Sequence, residues 1–152
     1  MADVYGNATV NIAATNAKDG TFGLFVERDR NKAERKYFQT GSGVIFEIMD
    51  DDLSERCLAG TPLSKRAWAF QERYLAQRTL HFTAEQIFGE CHQHIACEAW
   101  PEGLPASTYV PHKLTEFPER HGVGTWSETI YHYLEGQLTY EKDIFVALSG
   151  VA

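Results

Sequence analysis

Glu72 is the side chain whose type and position point most directly to chemistry. Residues 65–75 are mostly good helix formers, and the sequence predicts a helix there with Ser64 as its cap. On such a helix Trp68, Glu72 and Leu75 lie along one stripe. Burying a carboxylate on an apolar stripe costs free energy unless it is paired with a cation or used functionally.

Two interpretations of Glu72 remain open at this point. A carboxylate can stabilise a sugar cation, as carboxylates do in glycoside hydrolysis. It can also form a structural ion pair, for which Arg28, Arg66 and Arg73 are candidates. Trp68, as a large apolar side chain on an inward stripe, is expected to pack in the core.

Other chemical motifs are weak. Cys91, His92, His94 and Cys97 are soft metal ligands, but their spacing is not that of a zinc finger, so no metal site is predicted. His81 alternates to the polar side of a strand and is expected at the surface or in a hydrogen bond. The sequence has neither a nucleophile elbow nor a cysteine–histidine pair suited to a hydrolase.

The elements around Glu72 indicate an α/β domain. Residues 8–15 form an apolar run typical of a central parallel strand, and residues 79–83 alternate as a second strand. The helix over 65–75 is expected to pack on one face of this parallel sheet. Residues 44–48 predict a strand in an inserted hairpin, with Gly41-Ser42-Gly43 as its turn.

The end of the chain has a different composition. Four of the five prolines fall between positions 99 and 124, which predicts mostly loop. Residues 126–137 return to helical spacing, and Thr139 could cap a last helix that stops without a cap signal. We therefore expect a partial α/β domain over residues 1–98 and a helical extension, truncated, over residues 99–152.

Composition excludes several classes of function. A net charge of -7 without any basic cluster argues against nucleic-acid binding. No apolar run approaches the ~20 residues of a membrane span, and the first residues do not resemble a secretion signal, so a cytoplasmic protein without a membrane partner is expected. Three cysteines are too few for a disulfide scaffold.

Four blocks, taken in order, resemble the fungal heterokaryon-incompatibility (HET) domain. The third is the most specific: PLSKRAWAFQERYL at residues 62–75, continuing through Arg78-Thr-Leu-His-Phe82 to Glu90-Cys91. The others are Tyr5-Gly-Asn-Ala8 with residues 10–14, Gly23-Leu-Phe25 with Arg28, and Leu138-Thr139 with Asp143 and residues 147–152.

This resemblance implies a function. Trp68-Ala-Phe-Gln-Glu72 is similar to the Trp-x-x-x-Glu element of Toll-interleukin receptor (TIR) domains, whose glutamate serves NAD cleavage in the enzymatic members. The resemblance implies a partial flavodoxin-like or TIR-like parallel sheet flanked by helices, and it implies that Glu72 is the catalytic residue. NAD would be substrate rather than cofactor, with Arg28, Arg66, Trp68 and Gln71 contacting it.

The departures from the family pattern limit this interpretation. The Ser-Tyr-x-Trp-Gly type motif and the acidic, cysteine-containing strand that usually open the domain do not occur here. We therefore expect the carboxyl-terminal part of a HET domain, inactive by itself, from a protein of nonself recognition and programmed cell death. The alternative is a non-enzymatic module that signals by self-association or by binding another incompatibility protein.

Overall fold

The computed structural model of the chain describes residues 2–105, 130–131, 133–134, 136–137 and 144–149. The helices are α1 (Ala2–Gly6), a 3-10 turn (Arg30–Lys32), a π-helical turn (Glu55–Ala59), α2 (Ala67–Leu75) and α3 (Ile144–Leu148). The strands are β1 (Asn11–Ala13), β2 (Lys36–Gln39), β3 (Ile45–Ile48), β4 (Arg78–Phe82), β5 (Ile87–Cys91) and β6 (Ile95–Cys97). No helix in these ranges is long and apolar enough to cross a membrane.

A four-stranded mixed sheet in the order β1-β4-β5-β6 forms the centre of the fold. β1 and β4 are parallel, with Ile12 opposite Leu80, whereas β5 and β6 are added antiparallel. The prediction that residues 8–14 and 79–83 contribute strands to one parallel sheet is confirmed for this pair. The sheet as a whole is mixed, because the short connections before β5 and β6 favour antiparallel neighbours.

The position predicted for β1 needs correction. It is an edge strand of this sheet rather than a central one, and it spans three residues. Ala13 is buried, but Ile12 is 57% exposed, so only one face of the strand is covered. An apolar run therefore did not mean burial on both faces.

Helix α2 begins two residues later than predicted, with Arg66 in extended backbone at its amino-terminal cap position. Ser64 is not the cap, because its hydroxyl donates to the backbone carbonyls of Ala59 and Thr61. These bonds and that of the Thr61 hydroxyl to the Leu58 carbonyl close the turns before α2. The hydroxyl predicted to start the helix instead stabilises the segment that leads into it.

The alternation of β4 is correctly predicted, but its inward face is the polar one. Thr79 and His81 are buried, whereas Leu80 is 37% exposed. Across the strand pair, Phe88 lies opposite His81 and Glu90 opposite Thr79, so all four share the covered face of the sheet. The covered face of the sheet therefore contains both polar and apolar side chains.

Two apolar clusters flank this sheet. The larger contains Phe88 and Leu58, which are 0% and 1% exposed, and its other members are Leu53, Cys57, Cys97, Ala99 and Trp100. The smaller joins Ala67 of α2 to Tyr133, whose hydroxyl donates to the Ile144 carbonyl at 2.7 Å. The region expected to be a helical extension therefore contacts α2 where it is described. The predicted loop beyond residue 105 and the start of the helix at residue 126 lie outside the described residues.

Strands β2 and β3 form the expected inserted hairpin. Phe38 pairs with Phe46, and the turn is closed by the Gly43 amide, which donates to the Thr40 carbonyl. Gly43 has a φ of 88°, a conformation that favours glycine and explains its place in the turn. Every residue of both strands is exposed.

Phe88→Ala is expected to lower the free energy of unfolding by ~3–5 kcal/mol, because removing a fully buried ring leaves a cavity. Phe46→Ala, at a ring that is 54% exposed, should cost about 1 kcal/mol or less. Denaturant unfolding of both variants checks the prediction. Equal losses would mean that Phe88 is not a core residue.

Candidate functional site

A cavity of about 190 Å³ lies between the β1–β4 edge of the sheet and helix α2. The strands contribute backbone and side chains on the covered face, and α2 contributes one wall. The polar side chains that line it are Asn11, Thr15, Ser64, Glu72, Arg73, Thr79 and His81. Polar groups from three elements thus converge on one small apolar space, which is the usual composition of a ligand site.

Glu72 lies in the wall formed by α2 and is half-buried. It hydrogen bonds with the Tyr5 side chain, and no ion pair of Glu72 occurs among the described residues. Burial, followed by the Glu72 charge and this hydrogen bond, raises the pKa of Tyr5. The carboxylate predicted to be functional therefore lines a cavity and has no arginine partner in the part of the chain that the structure describes.

The arginine-paired carboxylate is a different residue, Glu90. Its side chain is 2% exposed and receives two hydrogen bonds from Arg73, Nε to Oε2 at 2.9 Å and Nη2 to Oε1 at 2.7 Å. Burial opposes ionisation, but the Arg73 charge and hydrogen bonds from His81 and Arg73 lower the pKa of Glu90 to about 2. Glu90 is thus an anion in a buried site.

His81 connects this ion pair to the cavity. Its Nε2 lies 2.8 Å from Glu90 Oε2, and its Nδ1 lies 3.1 Å from Thr15 Oγ1. An ionised carboxylate only accepts hydrogen bonds, so Nε2 must carry a proton. In neutral His81, Nδ1 is then an acceptor and the Thr15 hydroxyl donates to it. The arrangement is a hydroxyl, an imidazole and a carboxylate in series, with the hydroxyl in the cavity wall.

The side chains predicted for substrate binding do not gather around Glu72. Arg28 forms a bidentate pair with Glu98 at the surface, away from the cavity. Arg66 is exposed at the start of α2, and Trp68 packs on the cluster of Ala67 and Tyr133.

Gln71 is 3% exposed but does not line the cavity. Its Oε1 accepts no hydrogen bond from the described part of the chain. Of the predicted site residues, only Glu72 lies in the cavity wall.

The cysteine and histidine cluster forms a hairpin between β5 and β6. The Cys91 amide donates to the His94 carbonyl, and His94 Nε2 lies 2.8 Å from the Glu102 carbonyl oxygen. Burial raises the pKa of the Cys97 thiol. Within the described ranges, no group of three or more His, Cys, Asp or Glu side chains could hold a metal ion.

Sequence reasoning did not identify the Thr15, Arg73 and Glu90 side chains as a site. His81 was expected at the surface or in a hydrogen bond; the hydrogen bonds exist, but the ring is only 4% exposed. The available signal was Glu90, a charged residue in the apolar alternation of β5. Its pairing with His81 needed the β4–β5 register, which local sequence does not specify.

Volume limits what the cavity can accept. At about 190 Å³ it is below the ~300–1,000 Å³ of pockets that enclose drug-sized ligands. A single sugar ring or a small heterocycle is of the right size, while a whole dinucleotide is not. The groups present can stabilise positive charge through Glu72 and transfer a proton through Thr15 and His81.

Glu90→Gln is expected to lower the free energy of unfolding by about 3–5 kcal/mol near neutral pH, because it breaks the buried ion pair between Glu90 and Arg73. The pKa of Glu90 is lowered, so the ionised carboxylate stabilises the fold above its ordinary pKa of 4.5. This stability is lost as the pH falls toward about 2. Unfolding measured across this range should show a smaller acid-induced loss in the variant.

Glu98→Gln is the matched control, since Glu98 also pairs with an arginine but its side chain is 38% exposed. A surface pair contributes about 1 kcal/mol or less, so this variant should remain close to wild type. If both variants lose the same free energy of unfolding, the ion pair of Glu90 does not stabilise the fold more than a surface pair.

Comparison with known proteins gives one match, to part of the chain. Neither the curated proteins nor the solved structures give a match. The family model described as Heterokaryon incompatibility protein (HET) matches residues 1–72. That stretch includes β1, the hairpin and α2 as far as Glu72, so the amino-terminal 72 residues of this chain are similar to the HET domain.

Proposed function

We propose that this chain is the carboxyl-terminal part of a HET domain that cleaves NAD in the intact protein and so acts in nonself recognition and cell death. The observation that supports it most is the place of Glu72: a half-buried carboxylate in a cavity wall, without an arginine partner in the described structure. A structural carboxylate would be neutralised, as Glu90 is by Arg73.

The parallel pairing of β1 and β4 also supports a TIR-like arrangement. Ala14 and Thr15 follow the carboxyl end of β1 and line the cavity beside α2. In open α/β sheets, ligands bind at the carboxyl ends of parallel strands. A cytoplasmic α/β module with its ligand at this position is the arrangement that the Trp-x-x-x-Glu resemblance implies.

The proposed reaction needs few groups. Breaking the bond between nicotinamide and ribose leaves positive charge on the sugar, and the nearby Glu72 carboxylate stabilises that charge. Because the cavity has the volume of one ring, only the ribose that carries the bond to nicotinamide is placed inside it in this proposal. The adenylate end lies outside.

The cationic residues are assigned to the part of NAD outside the cavity. Arg66 is exposed and has no ion pair within the described residues, so it is the proposed ligand of the diphosphate. Arg28 would have to exchange Glu98 for a phosphate. Gln71 and Trp68 support α2 from behind the cavity in this proposal.

Glu72→Gln in the full-length protein is expected to abolish nicotinamide release from NAD, because the amide keeps the shape of the side chain without its charge. A loss of at least ~100-fold is expected for removal of an electrostatic stabiliser. Chromatography of released nicotinamide measures the reaction, and thermal unfolding monitors the fold.

Glu55→Gln is the matched control, since Glu55 is an exposed glutamate in the π-helical turn outside the cavity. It should release nicotinamide at the wild-type rate. A folded Glu72→Gln protein with wild-type activity would contradict the catalytic assignment of Glu72. A wild-type protein that releases no nicotinamide would contradict NAD cleavage itself.

A second candidate function, self-association, is favoured by the β2–β3 hairpin. An isolated two-stranded hairpin is only marginally stable in water and is strengthened by further strands. Its apolar side chains are half-exposed or more, and they are Tyr37, Phe38, Val44, Ile45, Phe46 and Ile48. These side chains present on the order of 600 Å² in each copy.

A second copy of the chain is the proposed partner of this hairpin. Phe38, Phe46 and Ile48 share one face of the hairpin, so two copies packed through that face would form an interface smaller than the ~1,200 Å² of the standard class. Pairing the outer edges of two hairpins would also give a sheet of four strands.

Phe38→Ser with Phe46→Ser should shift the full-length protein from dimer to monomer in light scattering. These positions are exposed, so the fold should survive. Val4→Ser, at an exposed apolar position in α1 outside the hairpin, is the control. A monomeric wild-type protein would contradict self-association, as would a double variant that remains dimeric.

A further inference from the structure

We propose that Thr15, His81 and Glu90 form a proton relay that activates the attacking water, with Thr15 as a second catalytic residue beside Glu72. This inference rests on the proposed function, since the relay and Glu72 line one cavity. The Thr15 hydroxyl lies in the cavity wall, 3.1 Å from Nδ1 of the buried His81 ring. Nε2 of the same ring lies 2.8 Å from the buried Glu90 carboxylate.

The hydrogen bonds around Thr15 suit both protonation states of His81. In the neutral state the Thr15 hydroxyl donates to Nδ1. When Nδ1 gains a proton, it donates to Thr15 Oγ1, and the hydroxyl turns to the Ala13 carbonyl oxygen at 3.3 Å. Every donor keeps an acceptor in each state, so His81 can gain and lose a proton without leaving a buried group unpaired.

The negative charges around His81 favour protonation of its ring. Glu90 faces it from β5 and is anionic, and Glu72 in the α2 wall adds negative charge to the cavity. Arg73, also from α2, is the opposing cation, but it shares its charge with Glu90 through two hydrogen bonds. A positive imidazolium therefore has a carboxylate in direct contact.

The bond between ribose C1′ and the nicotinamide nitrogen breaks, and nicotinamide leaves with the electron pair. The oxygen of water forms a new bond to C1′. Its proton passes to Thr15 Oγ1 as the Thr15 proton passes to His81 Nδ1, and His81 later releases one proton to solvent. The products are ADP-ribose, nicotinamide and that proton.

In this scheme each member of the network has a distinct role. Thr15 contacts the reacting water, whereas His81 acts through Thr15 and is a positioning residue. Glu90 and Arg73 hold the imidazole and determine which nitrogen carries the proton. Because the relay transfers a proton only while water attacks, its loss should affect turnover more than substrate binding.

The test compares Thr15→Val and Thr15→Ser in the full-length protein, with NAD as substrate. Thr15→Val keeps the shape without the hydroxyl, and kcat should fall by at least ~100-fold while KM stays within about threefold. Thr15→Ser restores the hydroxyl and should recover most of kcat. Thr83→Val is the control, because Thr83 is equally buried but its hydroxyl donates to the Gln86 carbonyl outside the cavity.

Thermal unfolding of the same proteins separates stability from catalysis. Thr83→Val should lower the melting temperature without lowering kcat. A Thr15→Val protein with wild-type kcat, or a Thr15→Ser protein as inactive as Thr15→Val, would overturn the relay while leaving NAD cleavage by Glu72 intact. A wild-type protein without nicotinamide release would overturn NAD cleavage and the relay together.

Discussion

Glu90 places a negative charge in the covered face of the sheet, and the packing around the cavity depends on how that charge is compensated. A buried carboxylate loses several kcal/mol of hydration unless charged or polar partners replace the water. Here Arg73 approaches from α2 and His81 from β4, while Glu90 itself lies on β5. The compensation therefore connects one helix to two strands and limits how α2 can rotate over the sheet.

This constraint determines which side chains face the cavity. With Arg73 directed at Glu90, the preceding residue, Glu72, is placed in the cavity wall and near Tyr5 of α1. His81 is held by the same carboxylate, so its second nitrogen faces Thr15 after β1. The two carboxylates thus have different environments: Glu90 is sealed and paired, whereas Glu72 faces open space.

The β2–β3 hairpin lies apart from the cavity and its buried ion pair. Its strands contact each other, expose both faces and contribute nothing to the cavity wall. The similarity to the HET domain extends across the hairpin and reaches Glu72. The matched segment therefore contains Thr15 and Glu72 of the candidate site and the whole candidate association surface, whereas Arg73, His81 and Glu90 lie beyond it. The site and the surface are separate, so the two proposed functions do not use the same residues.

The elements whose signals are local in the chain could be predicted before the fold was known. Helical propensity located α2, alternation located β4, and glycines located the hairpin turn at Gly43. The sequence also singled out Glu72, because a carboxylate on an apolar stripe is visible from helical spacing alone. Only the tertiary structure decided that β1 is an edge strand, that the polar face of β4 is the buried one, and that Glu90 rather than Glu72 takes the arginine. The reason is physical: strand order and register set which distant side chains meet, and a charge is stable in the interior only where such partners arrive together.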